Sequence, residues 1–178
     1  SFTVQNGDGP HLLLNGHTDT VSVAGMSIDP FSGDVRDGHL WGRGASDMKG
    51  PLACMLAALL ALRTRDDWRG RVTVGCVGDE ETEYRGLLKL IEDQAPWDYA
   101  VVGEPTGLRV VRGCKGSVRL HVRVRGRAAH SSDPSQGRNA IVGMAPVVEA
   151  MQAFFDEEIG RYTCPGFTPA TGSVGLIE

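Results

Sequence analysis

One histidine and a recurring set of carboxylates stand out by type and placement. His17 and Asp19 lie in Gly16-His-Thr-Asp-Thr20, and Asp47 lies in Gly42-Arg-Gly-Ala-Ser-Asp-Met-Lys-Gly50. Asp79, Glu80 and Glu81 follow one another, and Glu104 sits in Val102-Gly-Glu-Pro-Thr106. An imidazole with several carboxylates is a hard-to-borderline donor set, suited to Zn²⁺ and also to Mn²⁺ or Co²⁺. The carboxylates are too many for one tetrahedral structural zinc, which favours Cys and His; a carboxylate shared by two ions would account for the excess. Crowded anions also resist ionising together unless cations offset them. A water between two dications loses its proton near neutral pH. A carboxylate held off the metal can take that proton and pass it to a leaving group. Adjacent Glu80 and Glu81 suit such a division, because neighbouring side chains on extended backbone point to opposite sides. Taken singly, each acid reads as well as a helix N-cap or a solvated turn residue, and His17 as a turn residue. What favours a site is recurrence: such a group follows every apolar strand.

The elements that must position these groups alternate along the first two thirds of the chain. His11–Leu14 is a short apolar run ending at Asn15-Gly16, Val72–Val77 is β-branched and ends at Gly78, and Tyr99–Val102 ends at Gly103. Between them, Pro51–Arg63 is apolar almost all round with Pro in a favourable first-turn position, and Glu83–Glu92 is a shorter amphipathic stretch. Short apolar strands alternating with helices predict an α/β fold with a mostly parallel sheet covered on both faces. The carboxyl ends of parallel strands share one edge, where sites form. Asp47, just before the Pro51 helix, would join the others there.

The pattern then changes. From Ser117 to Arg125, Val118, Leu120, Val122 and Val124 alternate with Arg119, His121, Arg123 and Arg125, which predicts a half-buried strand of an antiparallel sheet. After a turn-rich stretch from Ser131 to Gly137, Ile141, Met144, Val148, Met151 and Phe155 recur at helical spacing. A domain boundary is expected near Cys114, dividing residues 1–114 from 115–178.

Composition narrows the partners. Among 178 residues, 18 Lys and Arg against 22 Asp and Glu leave a net charge of −4, which gives no reason to expect nucleic acid or an anionic membrane surface. The longest apolar run, Pro51 to Leu62, falls short of the roughly 20 residues of a bilayer span and reads as a buried helix. The first residues lack the basic start and apolar core of a signal peptide. Cys54, Cys76, Cys114 and Cys164 form no C-x-x-C pair and are expected reduced and buried, in keeping with a cytoplasmic protein. Gly42-Arg-Gly-Ala-Ser-Asp47 lacks both the third glycine of a dinucleotide loop and the ending of a P-loop, and no Gly-x-Ser-x-Gly is present. His11, His39 and His121 are expected in structural or solvated roles. The Arg119, Arg123 and Arg125 face is expected to be solvated, with a subunit contact as the alternative.

The three strand-end motifs and the Gly42–Gly50 segment together resemble the successive metal-site motifs of the M20 metallopeptidases, within them the acetylornithine deacetylase and succinyl-diaminopimelate desuccinylase branch. Gly126-Arg-Ala-Ala-His-Ser-Ser132 with Gly137-Arg-Asn-Ala-Ile141 resembles that branch's lid signature. The resemblance covers essentially the whole chain, in order. It implies a zinc-exopeptidase-like domain with an inserted α+β, ferredoxin-like lid and dimerisation domain, both incomplete, and a final zinc-binding His outside this chain. It further implies two Zn²⁺ (Co²⁺ or Mn²⁺ as alternatives), Asp47 bridging them, His17 and Glu104 on one ion and Glu81 on the other. Glu80 would be the general base, Asp19 would hold the His17 ring, His130 would stabilise the oxyanion across a homodimer, and Asn139 would contact substrate. The implied reaction is hydrolysis of the amide bond of an N-acyl amino acid or small peptide. The alternatives are a di- or tripeptidase of the same family, or a non-catalytic binding protein that keeps the fold.

Overall fold

Leu12, Leu13 and Leu14 of the expected first strand each have a strand partner on both sides. In the computed structural model, which describes residues 1–94 and 96–178, β1 (Phe2–Asn6), β2 (His11–His17), β5 (Gly70–Val77) and β6 (Tyr99–Val102) form one sheet in the order β1-β5-β2-β6. β2 runs parallel to both β5 and β6, and β1 closes one edge antiparallel to β5. The fold is therefore a mixed α/β one with a mostly parallel sheet flanked by helices. Two further strands, β3 (Val35–Arg36) and β4 (His39–Leu40), form a hairpin whose turn residues Asp37 and Gly38 have φ of 52° and 75°. Positive φ at both positions is the backbone that Asp-Gly favours between two strands.

Alternation along the central strands sends successive side chains to opposite faces. Leu12 and Leu14 of β2 and Val72 and Val74 of β5 pack with Leu52, Met55 and Leu59 of α1 (Gly50–Leu62). Leu13 and Val77 meet Leu90 of α2 (Arg85–Gln94) on the other face. Both faces of β2 are thus covered, which explains its unbroken apolar run. The strand extends three residues beyond its apolar core, so His17 is its last residue and not the first after it. α2 begins two residues later than expected because Tyr84, at φ 61°, lies outside helical backbone.

Helix α1 is buried along one stripe and not all round; Leu60 on its outer side is 63% exposed. Residues Ala45–Leu62 have the length and apolar composition of a bilayer span. Asp47 and Met48 interrupt that stretch with non-helical backbone, leaving 13 helical residues. At 1.5 Å per residue these span about 20 Å, against a hydrocarbon core of about 30 Å.

The chain clusters into two units, Ser1–Val110 and Val111–Glu178. In the second, α3 (Ala140–Glu157) covers the predicted helical spacing, and Asn139 caps it by accepting the Ile141 and Val142 amides at 2.9 and 3.2 Å. The strand expected over 117–125 does not form. Val118 and Leu120 are 83% and 73% exposed, and among the described residues of this unit the backbone pairing is a single bridge, Arg127 to Arg138. A strand has no hydrogen bonds of its own, so alternation without a paired neighbour marks a face to be covered and makes no ladder. The ferredoxin-like sheet is accordingly not seen.

The cysteines are free, as expected, but not buried. Cys54 lies on the solvent side of α1, Cys114 and Cys164 are exposed in irregular segments, and Cys76 is half-buried. Replacing Leu59 by Ala should destabilise the first unit by about 3 kcal/mol, as expected for a buried leucine, and Leu60→Ala by less than about 0.5 kcal/mol. Urea unfolding of the two variants checks the pair.

Candidate metal centre

Strand register brings the histidine and the last glutamate together. His17 stands opposite Val77 on β5, and Asn15 opposite Val102 on β6. The Gly103 amide continues that ladder to the Asn15 carbonyl at 3.1 Å, placing Glu104 level with His17. Asp47 arrives from outside the sheet. Gly44, at φ 80°, turns the chain toward it in a conformation that L side chains rarely adopt, and the Lys49 amide closes the turn on the Gly44 carbonyl at 2.9 Å.

His17 is 2% exposed, and its Nε2 faces three carboxylates: Asp47 Oδ1 at 3.0 Å, Glu104 Oε1 at 3.9 Å and Glu80 Oε2 at 4.0 Å. Ligand atoms of His17, Asp47 and Glu81 lie within 4.8 Å of one another, close enough to hold metal. Burial works to lower the His17 pKa, but the Asp47 hydrogen bond, the Asp19 carbonyl and the charges of Glu104 and Glu80 outweigh it and raise it. The Glu104 carboxyl is pushed up by burial and by the negative Asp47, Glu80 and Glu81, with His17 pulling the other way. Both shifts express one condition, an anionic cluster around a buried ring. Such a cluster suits a dication.

Asp19 does more than the sequence suggested. The His17 Nδ1–H donates to the backbone carbonyl of Asp19 at 2.9 Å, with the Asp19 carboxylate further away at 3.6 Å. With Nδ1 so engaged, Nε2 is the nitrogen turned to the carboxylates, where a dication could take the place of the proton it shares with Asp47. The carboxylate instead accepts the Glu80 and Glu81 amides, one on each oxygen, at 3.3 and 3.1 Å. Burial would raise its pKa, but these two N–H donors outweigh that and hold it below the usual carboxylate range. A single residue thus ties the end of β2 to the turn after β5.

Asp79, the first acid of the triplet, is turned to other partners. Its carboxylate accepts from Arg85 Nε at 2.6 Å and Nη2 at 3.1 Å, and from the Thr82 hydroxyl. The Arg85 and Thr82 hydrogen bonds hold it far below the usual range. With Tyr84 N–H on the Asp79 carbonyl at 2.7 Å, it builds the turn that presents Glu80 and Glu81. No spacing rule separates a turn-building Asp from a ligand; its local partner, Arg85, was the available signal.

His11 lies at the other end of β2 from His17 and bonds Thr73 Oγ1 at 2.8 Å. His39 Nδ1 bonds the Asp37 carbonyl at 2.8 Å, and His121 is exposed. His130 and Asn139 belong to the second unit. There the Ser132 amide donates to His130 Nδ1 at 3.2 Å, so the neutral ring carries its proton on Nε2. Asn139 Oδ1 is engaged in the α3 cap described above, a role its position before Ala140 and Ile141 allowed but the sequence reading did not include.

Residues 13–177 match the model of peptidase family M20/M25/M40. The chain belongs to that family. It is 39% identical over 160 residues to a succinyl-diaminopimelate desuccinylase of Methylorubrum extorquens, covering 82% of this chain and 42% of that protein. It is also 39% identical over 184 aligned positions to an acetylornithine deacetylase of Vibrio vulnificus, covering 99% of this chain and 47% of the relative. The chain therefore spans less than half the length of these M20 relatives.

Asp19→Ala would leave the Glu80 and Glu81 amides without their acceptor, a loss of about 1–2 kcal/mol of local stability. Those two amides should then exchange with deuterium roughly tenfold faster or more, while amides of β1 keep their protection. Residue-resolved hydrogen exchange measures both.

Proposed function

We propose that the whole protein is a metal-dependent hydrolase of the amide bond in N-acyl amino acids or small peptides, working with two Zn²⁺, or Co²⁺ or Mn²⁺ in their place. The observation that carries this reading is the His17, Asp47 and Glu81 donor group with Glu80 beside it on the same turn. The donor chemistry fits: an imidazole nitrogen on which a dication could replace the proton shared with Asp47, and carboxylates whose mutual repulsion calls for cations. His17 and Glu104 would hold one ion and Glu81 the other, with Asp47 between them. When bound, the ions supply acidity to the attacking water and take up charge on the amide carbonyl oxygen.

The remaining work falls to the chain. Glu80, anchored through its amide to Asp19, takes the proton from the attacking water at its carboxylate and delivers it to the leaving amine nitrogen. Asp19 keeps the His17 ring and both glutamates in register. His130, with its proton on Nε2, is the donor we assign to the tetrahedral oxyanion. Asn139 would contact substrate through its amide nitrogen, since Oδ1 caps α3. We take residues 115–178 as the lid domain and a homodimer through it as the assembly; the exposed Val118, Leu120 and Val122 supply apolar surface for such a contact. Because relatives are named as a desuccinylase and a deacetylase, N-succinyl and N-acetyl amino acids are the first substrates to try, with dipeptides as the comparison.

The test uses the whole protein. Chelation should abolish release of free amine, and Zn²⁺ or Co²⁺ should restore it. Glu80→Gln should keep its metal by elemental analysis and lose at least about a thousandfold in kcat, within the range general-base catalysis supplies together with its neighbours. Near-normal turnover in that variant would remove Glu80 from the reaction.

Asn139→Ser separates two roles. Serine keeps a cap acceptor, so the melting temperature should hold, while loss of the amide donor should raise KM. An unchanged KM would leave Asn139 as a cap alone.

A further inference from the structure

Met48 takes no part in the chemistry above, yet it and His17 are the two largest side chains buried to below 2%. It follows Asp47 directly. Its Cε lies 2.5 Å from where a Cβ on Gly16 would stand and 3.0 Å from that of Gly103. Gly16 precedes His17, Gly103 precedes Glu104, and the two glycines are neighbours one step past the Asn15–Val102 pair of β2 and β6. Neither glycine has positive φ, so backbone conformation does not demand glycine at these positions. Space does. The missing side chains form two adjacent notches, and one methyl group lies across both.

We propose that Met48 is a positioning residue: seated in the Gly16 and Gly103 notches, it sets the distance of Asp47 from His17 and Glu104 and hence the spacing of the metal-ligand atoms. The inference rests on the metal-centre reading. Methionine's three rotatable bonds give it no stiffness of its own, so its position depends on enclosure. The enclosure is complete on this side: Leu52 Cδ2 comes within 2.9 Å of the Gly16 Cβ position, and Met55 Cε and Pro51 Cβ within 2.4 and 3.1 Å of that of Gly103. A Cβ added at Gly16 would displace the Met48 tip and Leu52; because Met48 is fully buried, the tip has no solvent to swing into, and part of the shift falls on the backbone that carries Asp47.

The experiment titrates the full chain with Co²⁺ alone and with Zn²⁺ alone, and records affinity and the visible Co²⁺ spectrum. Gly16→Ala, Met48→Ala, the double variant and Leu59→Ala are compared with the parent. Gly16→Ala and Met48→Ala should each weaken Co²⁺ binding about tenfold or more and alter the spectrum, and the double variant should lose no more than the weaker single variant. Leu59→Ala, in the same core but away from both glycines, should lower the melting temperature without moving affinity or spectrum. If Met48→Ala does not fold, Met48→Leu, which keeps volume but not reach, takes the same readouts. Parent-like affinity and spectrum in the folded Met48 variants, or equal changes in Leu59→Ala, would overturn the positioning role and leave the metal centre standing. Failure of the unmodified chain to bind either ion would overturn the metal-centre reading, and the positioning role with it.

Discussion

Mutual repulsion among carboxylates governs this structure. Asp47, Glu80 and Glu104 all place an oxygen within 4.0 Å of one imidazole nitrogen that is shut off from water. Oxygens gathered around one nitrogen at these distances are at most about 8 Å apart, where like charges repel by about 2 kcal/mol at an effective dielectric of roughly 20. The chain can gather them only if something else holds the backbone in place, and that task falls to the rest of the first unit. Parallel ladders fix His17 beside Glu104, the double-faced core clamps β2 between α1 and α2, and two of the surrounding acids are used as braces. Asp19 and Asp79 accept from backbone and guanidinium donors, which turns potential repulsion into anchorage.

This division between acids that face His17 and acids that brace the backbone also marks the limit of what sequence alone can assign. The three strand ends, the Asp47 turn and the parallel arrangement were legible because they follow from period, length and the polarity of parallel sheets, all local properties. Which acid does what was less so. Asp79 and Glu81 are two residues apart and chemically near-equivalent, and they differ in which way the turn between them faces: Arg85, a few residues on, closes on the first. Asn139 shows the same limit, since a substrate amide and a helix cap look alike until the backbone donors behind it are located. The alternation over 117–125 is a face without a ladder, because pairing is a property of two segments and periodicity reports on one.

Burial is distributed to match these tasks. His17 is enclosed, whereas the side chains of Asp47, Glu104 and Glu80 are 52%, 41% and 34% exposed. The histidine is the donor whose tautomer must be set, and a fixed proton on Nδ1 needs a rigid acceptor, here a backbone carbonyl. Carboxylates need no tautomer, and solvent access lowers the penalty of keeping several ionised before cations arrive. A site built the other way round, with buried acids and an exposed ring, would hold its acids protonated and its imidazole mobile. Enclosing the ring and leaving the acids open therefore fixes the one group that needs orienting and leaves solvent to screen the groups that repel.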